Sequence, residues 1–175
     1  MPVATDEKPI LKVEDLQMEA GGVEILSRVS FSLEKGEALA IIGPNGAGKT
    51  MLFRALIGAF PYEGAIQWQK DVSIGYVPQK IDIERDLPLT VKEFLDLKLN
   101  IIKKTGETSF DAPKRALEWV DLPLEIAKKR IGELSAGQFQ RVLIAWALLG
   151  KPNVLLFDEP TANIDPAGER GVFEL

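Results

Sequence analysis

The chain has 175 residues, 46% of them hydrophobic and 27% charged, which is enough for one ordinary domain with its own core. Its 26 acidic residues outnumber its 21 basic residues, and the formal charge of −5 argues against nucleic-acid binding. The chain contains no cysteine and no histidine, so disulfides, zinc sites built on those side chains and histidine catalysis are excluded.

No segment has the pattern of a membrane span or a secretion signal. The longest apolar run, residues 142–149, has eight residues, whereas a spanning helix needs about 20. The polar, acidic start of the chain lacks the basic and apolar regions of a signal peptide. We therefore expect a cytoplasmic protein.

The first third of the chain is predicted to contain strands, after a loose tail at residues 1–9. Alternating apolar residues between positions 10 and 33 predict two strands joined by a turn at Gly21 and Gly22. The wholly apolar run 38–42 predicts a strand buried on both faces, as in a parallel sheet.

A glycine-rich loop at residues 43–48 separates that strand from a predicted helix at 49–60. Strand patterns return at 64–68 and 73–77. Strand, glycine-rich turn and helix together are typical of the start of an α/β unit.

The second half is predicted to be mostly helical, from residue 90 to about 129 and again from 135 to 150. Thr90 and Glu93 have the spacing of a capping box, in which each side chain bonds to the other's backbone N–H. The apolar run 153–159 then predicts a second buried strand. We therefore predict a mixed α/β domain rather than a helical bundle or a β-sandwich.

The glycine-rich loop fits the P-loop pattern G-x-x-x-x-G-K-[ST], in which backbone N–H groups surround phosphate oxygens. The pattern places Lys49 at the β- and γ-phosphates and the Thr50 hydroxyl on Mg²⁺. The alternative is an ordinary glycine-rich turn, but a buried strand before the loop and a helix after it favour nucleotide binding. The predicted phosphate-binding residues are Gly43, Pro44, Asn45, Gly46, Ala47, Gly48, Lys49 and Thr50.

Two carboxylates end the last apolar run, where open α/β sheets bind their ligands. Asp158 is predicted to hold Mg²⁺ through water, and Glu159 to act as general base for the attacking water. The alternative is a pair of solvated carboxylates at the start of a loop. The P-loop in the same chain favours the catalytic interpretation.

The stretch "LSAGQ" at 134–138 is predicted to begin a helix with a capping box between Ser135 and Gln138. The small residues Ala136 and Gly137 leave the first N–H groups of that helix accessible to an anion. Both interpretations can hold together.

In order, "GPNGAGKT", "YVPQ", "LSAGQFQR", "LLFDEP" and "ANID" resemble the motifs of the ATP-binding cassette (ABC) ATPases, from about Leu11 to Leu175. The resemblance implies ATP and Mg²⁺ as cofactors and a head-to-tail homodimer. Ser135 and Gly137 would contact the ATP held by the partner subunit. Gln79 would link Mg²⁺ and the attacking water to a membrane partner, and Asp165 would lie at the dimer interface.

The resemblance also implies the fold: a P-loop NTPase of ABC type with a mixed sheet core and an N-terminal antiparallel β subdomain. The domain would span residues 10–175, with a helical subdomain at about 85–150. The chain departs from the family pattern in three ways. Ala136 replaces the usual glycine, and Ala20 replaces the aromatic residue that stacks on adenine. The family's switch histidine has no counterpart.

The family domain continues beyond this point, so the last core strand or strands are expected to be missing. Two apolar strands would then have unpaired edges. We accordingly expect these 175 residues alone to be marginally stable and to hydrolyse little ATP.

One nucleotide-binding domain without a membrane span resembles the ATPases of bacterial importers, and "IGYVPQK" with "LPLTVKEFL" resembles those of zinc and manganese uptake systems. That branch implies integral-membrane permease subunits, an extracytoplasmic substrate-binding protein and a location on the inner face of the membrane. The alternatives are an importer or exporter for another substrate, a soluble DNA-repair or translation ABC protein, and an ATP-binding but catalytically inactive fragment.

Overall fold

A computed structural model describes residues 8–79, 81, 87–103 and 112–158. The chain divides into two compact units, Met1–Val72 and Ser73–Leu175. Each unit is described by itself.

The first unit is built on an antiparallel sheet of three strands in the order β2-β1-β3. β1 spans Leu11–Ala20, β2 spans Val23–Leu33 and β3 spans Glu63–Trp68. Gly21 and Gly22, at φ +60° and +80°, form the two-residue turn between β1 and β2, a conformation that glycine adopts at little cost. The two predicted strands, their turn and the antiparallel N-terminal sheet are confirmed.

A bulge in β1 keeps its apolar residues on one face of the sheet. The pairing register with β2 shifts between Val13 and Leu16, and Asp15 takes a positive φ of +47°. The Asp15 N–H donates to Ser30 Oγ at 2.9 Å. Because the bulge adds one residue, the apolar side chains on both sides of it are buried: Leu11, Val13, Leu16 and Met18.

The helix after the glycine-rich loop, α1, spans Lys49–Leu56 and is shorter than predicted. Gly58 has a φ of +72°, and its N–H donates to the Ala55 carbonyl at 2.9 Å. This left-handed residue ends the helix before its apolar pattern ends. The Trp68 indole N–H of β3 donates to the Leu56 carbonyl at 3.0 Å and fixes the end of α1 against the sheet.

The prediction of a buried strand at residues 38–42 is wrong. The segment has no regular structure, and Leu39 and Ile42 are 48% and 92% exposed. Among the described residues, no strand pairs with it. An apolar run becomes a strand only when neighbouring backbone completes its hydrogen bonds, and composition does not supply that neighbour.

Within its described residues, the second unit contains a pair of parallel strands and three α-helices. β4 spans Ile74–Val77 and pairs with β5 at Val154–Phe157, in register from one end to the other. Between them in the chain lie α2 at Val91–Lys103, α3 at Ala112–Trp119 and α4 at Ala136–Leu148. Short 3₁₀ turns occupy Leu124–Lys128 and Ile131–Glu133. The predicted second apolar strand and the helical region are confirmed.

The predicted capping box begins α2. Thr90 N–H donates to Glu93 Oε2 at 2.8 Å, and Glu93 N–H donates to Thr90 Oγ1 at 3.2 Å. The hydrogen bonds from Thr90 hold the pKa of the Glu93 carboxyl below its ordinary value. The two helices pack through aromatic rings, since Phe94 of α2 stacks on Trp146 of α4 with ring centroids 4.4 Å apart.

Gly75 of β4 lies where the strand meets the end of α4. A Cβ at this position would come within 2.6 Å of the Ala147 carbonyl oxygen and 2.7 Å of Leu155 Cδ2. We expect Gly75→Ala to lower the free energy of unfolding by about 2–3 kcal/mol, because the helix backbone must move. Gly21→Ala is the control: its site is open and only its positive φ costs energy, about 1 kcal/mol. Denaturant unfolding compares them, and equal losses would contradict the prediction.

Candidate functional site

The glycine-rich loop provides no side-chain cap for the first N–H groups of α1, so they can bind an anion. Gly46 and Gly48 have φ values of +83° and +86°, and the Ala47 N–H closes a turn on the Pro44 carbonyl at 3.2 Å. Gly48 is the N-cap of α1 and offers no side chain to accept its first N–H groups. The first turn of α1 also contains no acidic residue. The helix dipole and these N–H groups therefore remain suited to a phosphate.

Gly48 also lies tightly against β2. A Cβ there would come within 2.7 Å of Leu26 Cδ2 and 3.0 Å of the Ile25 carbonyl oxygen. Both the positive φ and the close approach require glycine. The strand therefore fixes the position at which the loop turns into the helix.

Lys49 closes the loop on itself. Its Nζ donates to the Gly43 carbonyl at 2.9 Å and to the Pro44 carbonyl at 3.1 Å. These bonds hold the ammonium group against the first residues of the loop, and Thr50 follows in the first turn of α1. The structure therefore brings together the lysine, the threonine and the glycines that the sequence predicts to bind phosphate.

Asp158 follows β5 and is buried, with 1% of its surface exposed. Its N–H donates to the Val77 carbonyl at 2.9 Å, and its Oδ2 lies 3.5 Å from the Tyr76 hydroxyl. Its Oδ1 has no hydrogen-bond partner among the described residues. A buried carboxylate oxygen without a partner is costly in isolation and suits a hydrated Mg²⁺. The side chain thus fits the predicted magnesium role.

Gln79 lies two residues beyond β4, and Asp158 one residue beyond β5. The strands are parallel, with Val77 opposite Phe157, so their carboxyl ends share one edge of the pair. The structure therefore brings Gln79 and Asp158 to the same edge. Glu159 and Asp165 lie outside the described residues, and their predicted roles stay predictions.

Ser135 caps α4 as predicted. The Gln138 N–H donates to Ser135 Oγ at 3.2 Å, and the Ser135 N–H donates to Gln138 Oε1 at 3.1 Å. The first turn of α4, which includes Gly137, contains no acidic residue. Since Ser135 is exposed, this helix terminus is accessible to an anionic group.

A backbone bridge that sequence reasoning missed leads into this cap. The Val91 N–H donates to the Lys129 carbonyl at 3.0 Å, and the Ile131 N–H donates to the Leu89 carbonyl at 2.9 Å. The Arg130 N–H donates to Glu133 Oε2 at 3.2 Å and tightens the turn before Ser135. A glutamate three residues after Arg130 is the sequence signal for that turn, but the pairing with residues 89–91 is long-range.

The part of the chain that is described contains neither a metal-binding cluster of carboxylates nor a membrane-spanning helix. No group of three or more Asp and Glu side chains there is arranged to hold a metal ion by itself. No helix in the described ranges is long and apolar enough to cross a membrane.

A glycine loop capping a helix, a lysine over that loop and a buried aspartate after a parallel strand define a P-loop nucleotide-binding protein. The sequence profile described as "ABC transporter" matches residues 26–162. The chain therefore belongs to the ABC transporter family, and the predicted ABC-type fold is confirmed.

Among its curated relatives, the zinc import ATP-binding protein ZnuC of Roseobacter denitrificans is 40% identical over 166 residues, covering 94% of this chain and 62% of the relative. ZnuC of Cereibacter sphaeroides is 41% identical over 167 residues, covering 95% of this chain and 65% of the relative. The chain thus spans less than two thirds of the length of these relatives. The predicted resemblance to the zinc uptake branch is confirmed.

A solved dimeric ATP-binding cassette in a post-hydrolysis state, with ADP and Pi bound, has a similar fold. It superposes with a TM-score of 0.80 at 26% identity, covering 94% of this chain and 80% of that one.

Proposed function

We propose that this chain is the ATP-binding and ATP-hydrolysing part of an ABC importer for metal ions, of the zinc type. The observation that carries the proposal is its 40% identity, across 94% of its length, to a zinc import ATP-binding protein. The loop geometry of Gly48 and Lys49 supports it. The nucleotide-binding domain is proposed to span residues 10–175, with its helical subdomain at about 85–150.

The proposed site residues act on ATP in distinct ways. The loop 43–48, Lys49 and the N-terminus of α1 would bind the phosphates, and Thr50, Asp158 and Gln79 would hold Mg²⁺. Mg²⁺, when bound with ATP, neutralises phosphate charge. Glu159 accepts a proton from the attacking water, whose oxygen bonds to the γ-phosphorus as the bond to the β–γ bridging oxygen breaks.

Two copies of the domain are proposed to meet head to tail. In that arrangement Ser135 and Gly137 of one subunit contact the γ-phosphate held by the other. The exposed, capped start of α4 without acidic residues supports this role. The similar cassette bound to ADP and Pi is itself a dimer.

The proposed partners are integral-membrane permease subunits, with an extracytoplasmic binding protein acting through them. The chain would then lie in the cytoplasm, peripheral on the inner face of the membrane. None of the proposed site residues contacts the transported metal, so its identity depends on those partners. An importer or exporter for another substrate, or an ATP-binding fragment without turnover, is the alternative.

The function is tested by uptake in cells that lack the gene for the full-length protein. We expect the wild-type gene to restore accumulation of radioactive zinc under chelation, and Lys49→Ala and Glu159→Gln not to restore it. Manganese and iron uptake, measured in parallel, identify the transported metal. Zinc uptake that is equal with and without the gene would overturn the zinc assignment. Loss of another solute's uptake would favour the alternative substrate.

Comparing two helix caps with the same N–H-to-hydroxyl distance separates stability from function at Ser135. Thr90 Oγ1 and Ser135 Oγ each accept a backbone N–H at 3.2 Å, so alanine at either position should cost about 1 kcal/mol of stability. Only Ser135→Ala should also weaken ATP-dependent dimerisation of the full-length protein, by about 10- to 100-fold for one hydrogen bond to a charged phosphate. Denaturant unfolding and sedimentation with ATP measure these effects. Equal dimerisation in the two variants would contradict the proposed role.

A further inference from the structure

An open cleft of about 260 Å³ lies in the first unit, beside the hairpin of β1 and β2. Its floor is apolar, since Met18 and Leu26 are buried at 2% and 9% exposure. Tyr62, just before β3, forms one wall and is 38% exposed. Pockets for whole drug-sized ligands begin at about 300 Å³, so this cleft suits a smaller group, and a nucleobase is of that size.

Leu26 connects the cleft to the glycine-rich loop. Leu26, which lines the cleft, is also the side chain against which Gly48 packs, since a Cβ on Gly48 would lie 2.7 Å from Leu26 Cδ2. One leucine therefore separates the cleft from the N-terminus of α1. A nucleotide whose phosphates lay on that terminus would extend its base past Leu26 toward the cleft.

The rim of the cleft accepts hydrogen bonds and repels phosphate. Glu19 and Glu24 lie directly opposite each other in the β1–β2 pairing, and Glu63 lies opposite Gln17 in the β1–β3 pairing. Like charges at facing strand positions cost stability. Ionised carboxylates only accept hydrogen bonds, and the exocyclic amino group of adenine donates them. A rim with these carboxylates disfavours phosphate and offers hydrogen-bond acceptors to an amino-bearing base.

We infer that Tyr62 stacks on the adenine ring of the ATP whose phosphates are bound by the loop 43–48. The inference rests on the proposed nucleotide binding. Position 20, where the family resemblance places an aromatic residue, is an exposed alanine that ends β1. The stacking ring thus comes from the segment between α1 and β3 instead of from position 20. Tyr62 is therefore a residue that determines specificity for the base of the nucleotide.

The test compares a ligand that has a base with one that lacks it. Equilibrium binding of Mg-ATP and of inorganic tripolyphosphate is measured on the full-length protein. Tyr62→Ala should weaken ATP binding by about 5- to 150-fold, the usual effect of removing one stacked ring, and leave tripolyphosphate binding within about twofold. Tyr62→Phe keeps the ring and should keep ATP affinity. Trp119→Ala removes a similarly exposed aromatic side chain, 44% against 38% for Tyr62, from the second unit and should change neither affinity.

An equal loss for both ligands in Tyr62→Ala would overturn the inference, because a general distortion of the site would then explain it. Unchanged ATP affinity would overturn it as well, and so would a Tyr62→Phe variant as weak as Tyr62→Ala. Tripolyphosphate binding by the Lys49→Ala variant tests the proposed function separately from the inference about Tyr62. If the Lys49→Ala variant bound tripolyphosphate with wild-type affinity, phosphate binding at the loop would be refuted, whatever the result at Tyr62.

Discussion

Lys49→Ala is expected to abolish measurable ATP binding, with an affinity about 100-fold lower or more. The ammonium group donates to the Gly43 and Pro44 carbonyls at 2.9 and 3.1 Å and so lies at the start of the loop that would hold the phosphates. A charge-assisted hydrogen bond contributes about 1.5–3 kcal/mol, and Lys49 would make more than one with the β- and γ-phosphates. Isothermal titration calorimetry of the full-length protein with Mg-ATP measures the loss.

The matched control is Lys70→Ala, which removes an exposed lysine of the same unit outside the loop. This variant should leave ATP affinity unchanged. It shows whether the loss of one positive charge anywhere in the unit is enough to weaken ATP binding. Thermal unfolding without nucleotide must also be compared, since Lys49→Ala removes two hydrogen bonds that close the loop. A folded Lys49→Ala protein with wild-type affinity would refute the P-loop assignment.

Asp158→Asn should have two opposite effects, a lower rate of ATP hydrolysis and a higher stability. The carboxylate is 1% exposed, and its Oδ1 has no partner among the residues that the structure describes. Burying an unpaired charge is costly, so the neutral amide should raise the free energy of unfolding by about 1 kcal/mol in the absence of nucleotide. An amide is also a poorer magnesium ligand than a carboxylate, so hydrolysis should fall by about 100-fold or more.

Asp121→Asn is the control for Asp158→Asn. Asp121 is exposed at a φ of +51°, a conformation that asparagine also adopts readily. The change should stay within about 0.5 kcal/mol in stability and leave hydrolysis intact. Denaturant unfolding without magnesium and steady-state hydrolysis over a range of magnesium concentrations measure the two effects. An Asp158→Asn protein that is less stable than wild type and fully active would contradict both.

The features predicted correctly from the sequence depend mainly on residues close together in the chain. The Gly21–Gly22 turn, the Thr90–Glu93 box and the Ser135–Gln138 box each form within four residues. The phosphate-binding loop is of the same kind, because its glycines and Lys49 lie within seven positions. Local dihedral preferences and short hydrogen bonds decide such features, and the amino-acid types encode them directly.

Most of the errors and omissions involve partners that are distant in the chain, and the early end of α1 at Gly58 is the local exception. Residues 38–42 have the composition of a buried strand but no pairing strand among those described. The bulge at Asp15 depends on Ser30, and the bridge before Ser135 joins residue 89 to residue 131. Tyr62 gave no signal in sequence, because the cleft it lines is formed by the side chains of three strands or strand ends.

The sequence by itself determined the family, the phosphate-binding loop and the identity of the carboxylate after the last apolar strand. Each of these is a short pattern whose chemistry depends on residue type and spacing. Only the tertiary structure decided that β4 and β5 pair in parallel, that Asp158 is buried with an oxygen unpaired, and that Leu26 joins the loop to a cleft. Pairing, burial and cavities arise from contacts between distant segments, and a single sequence does not state which of those segments meet.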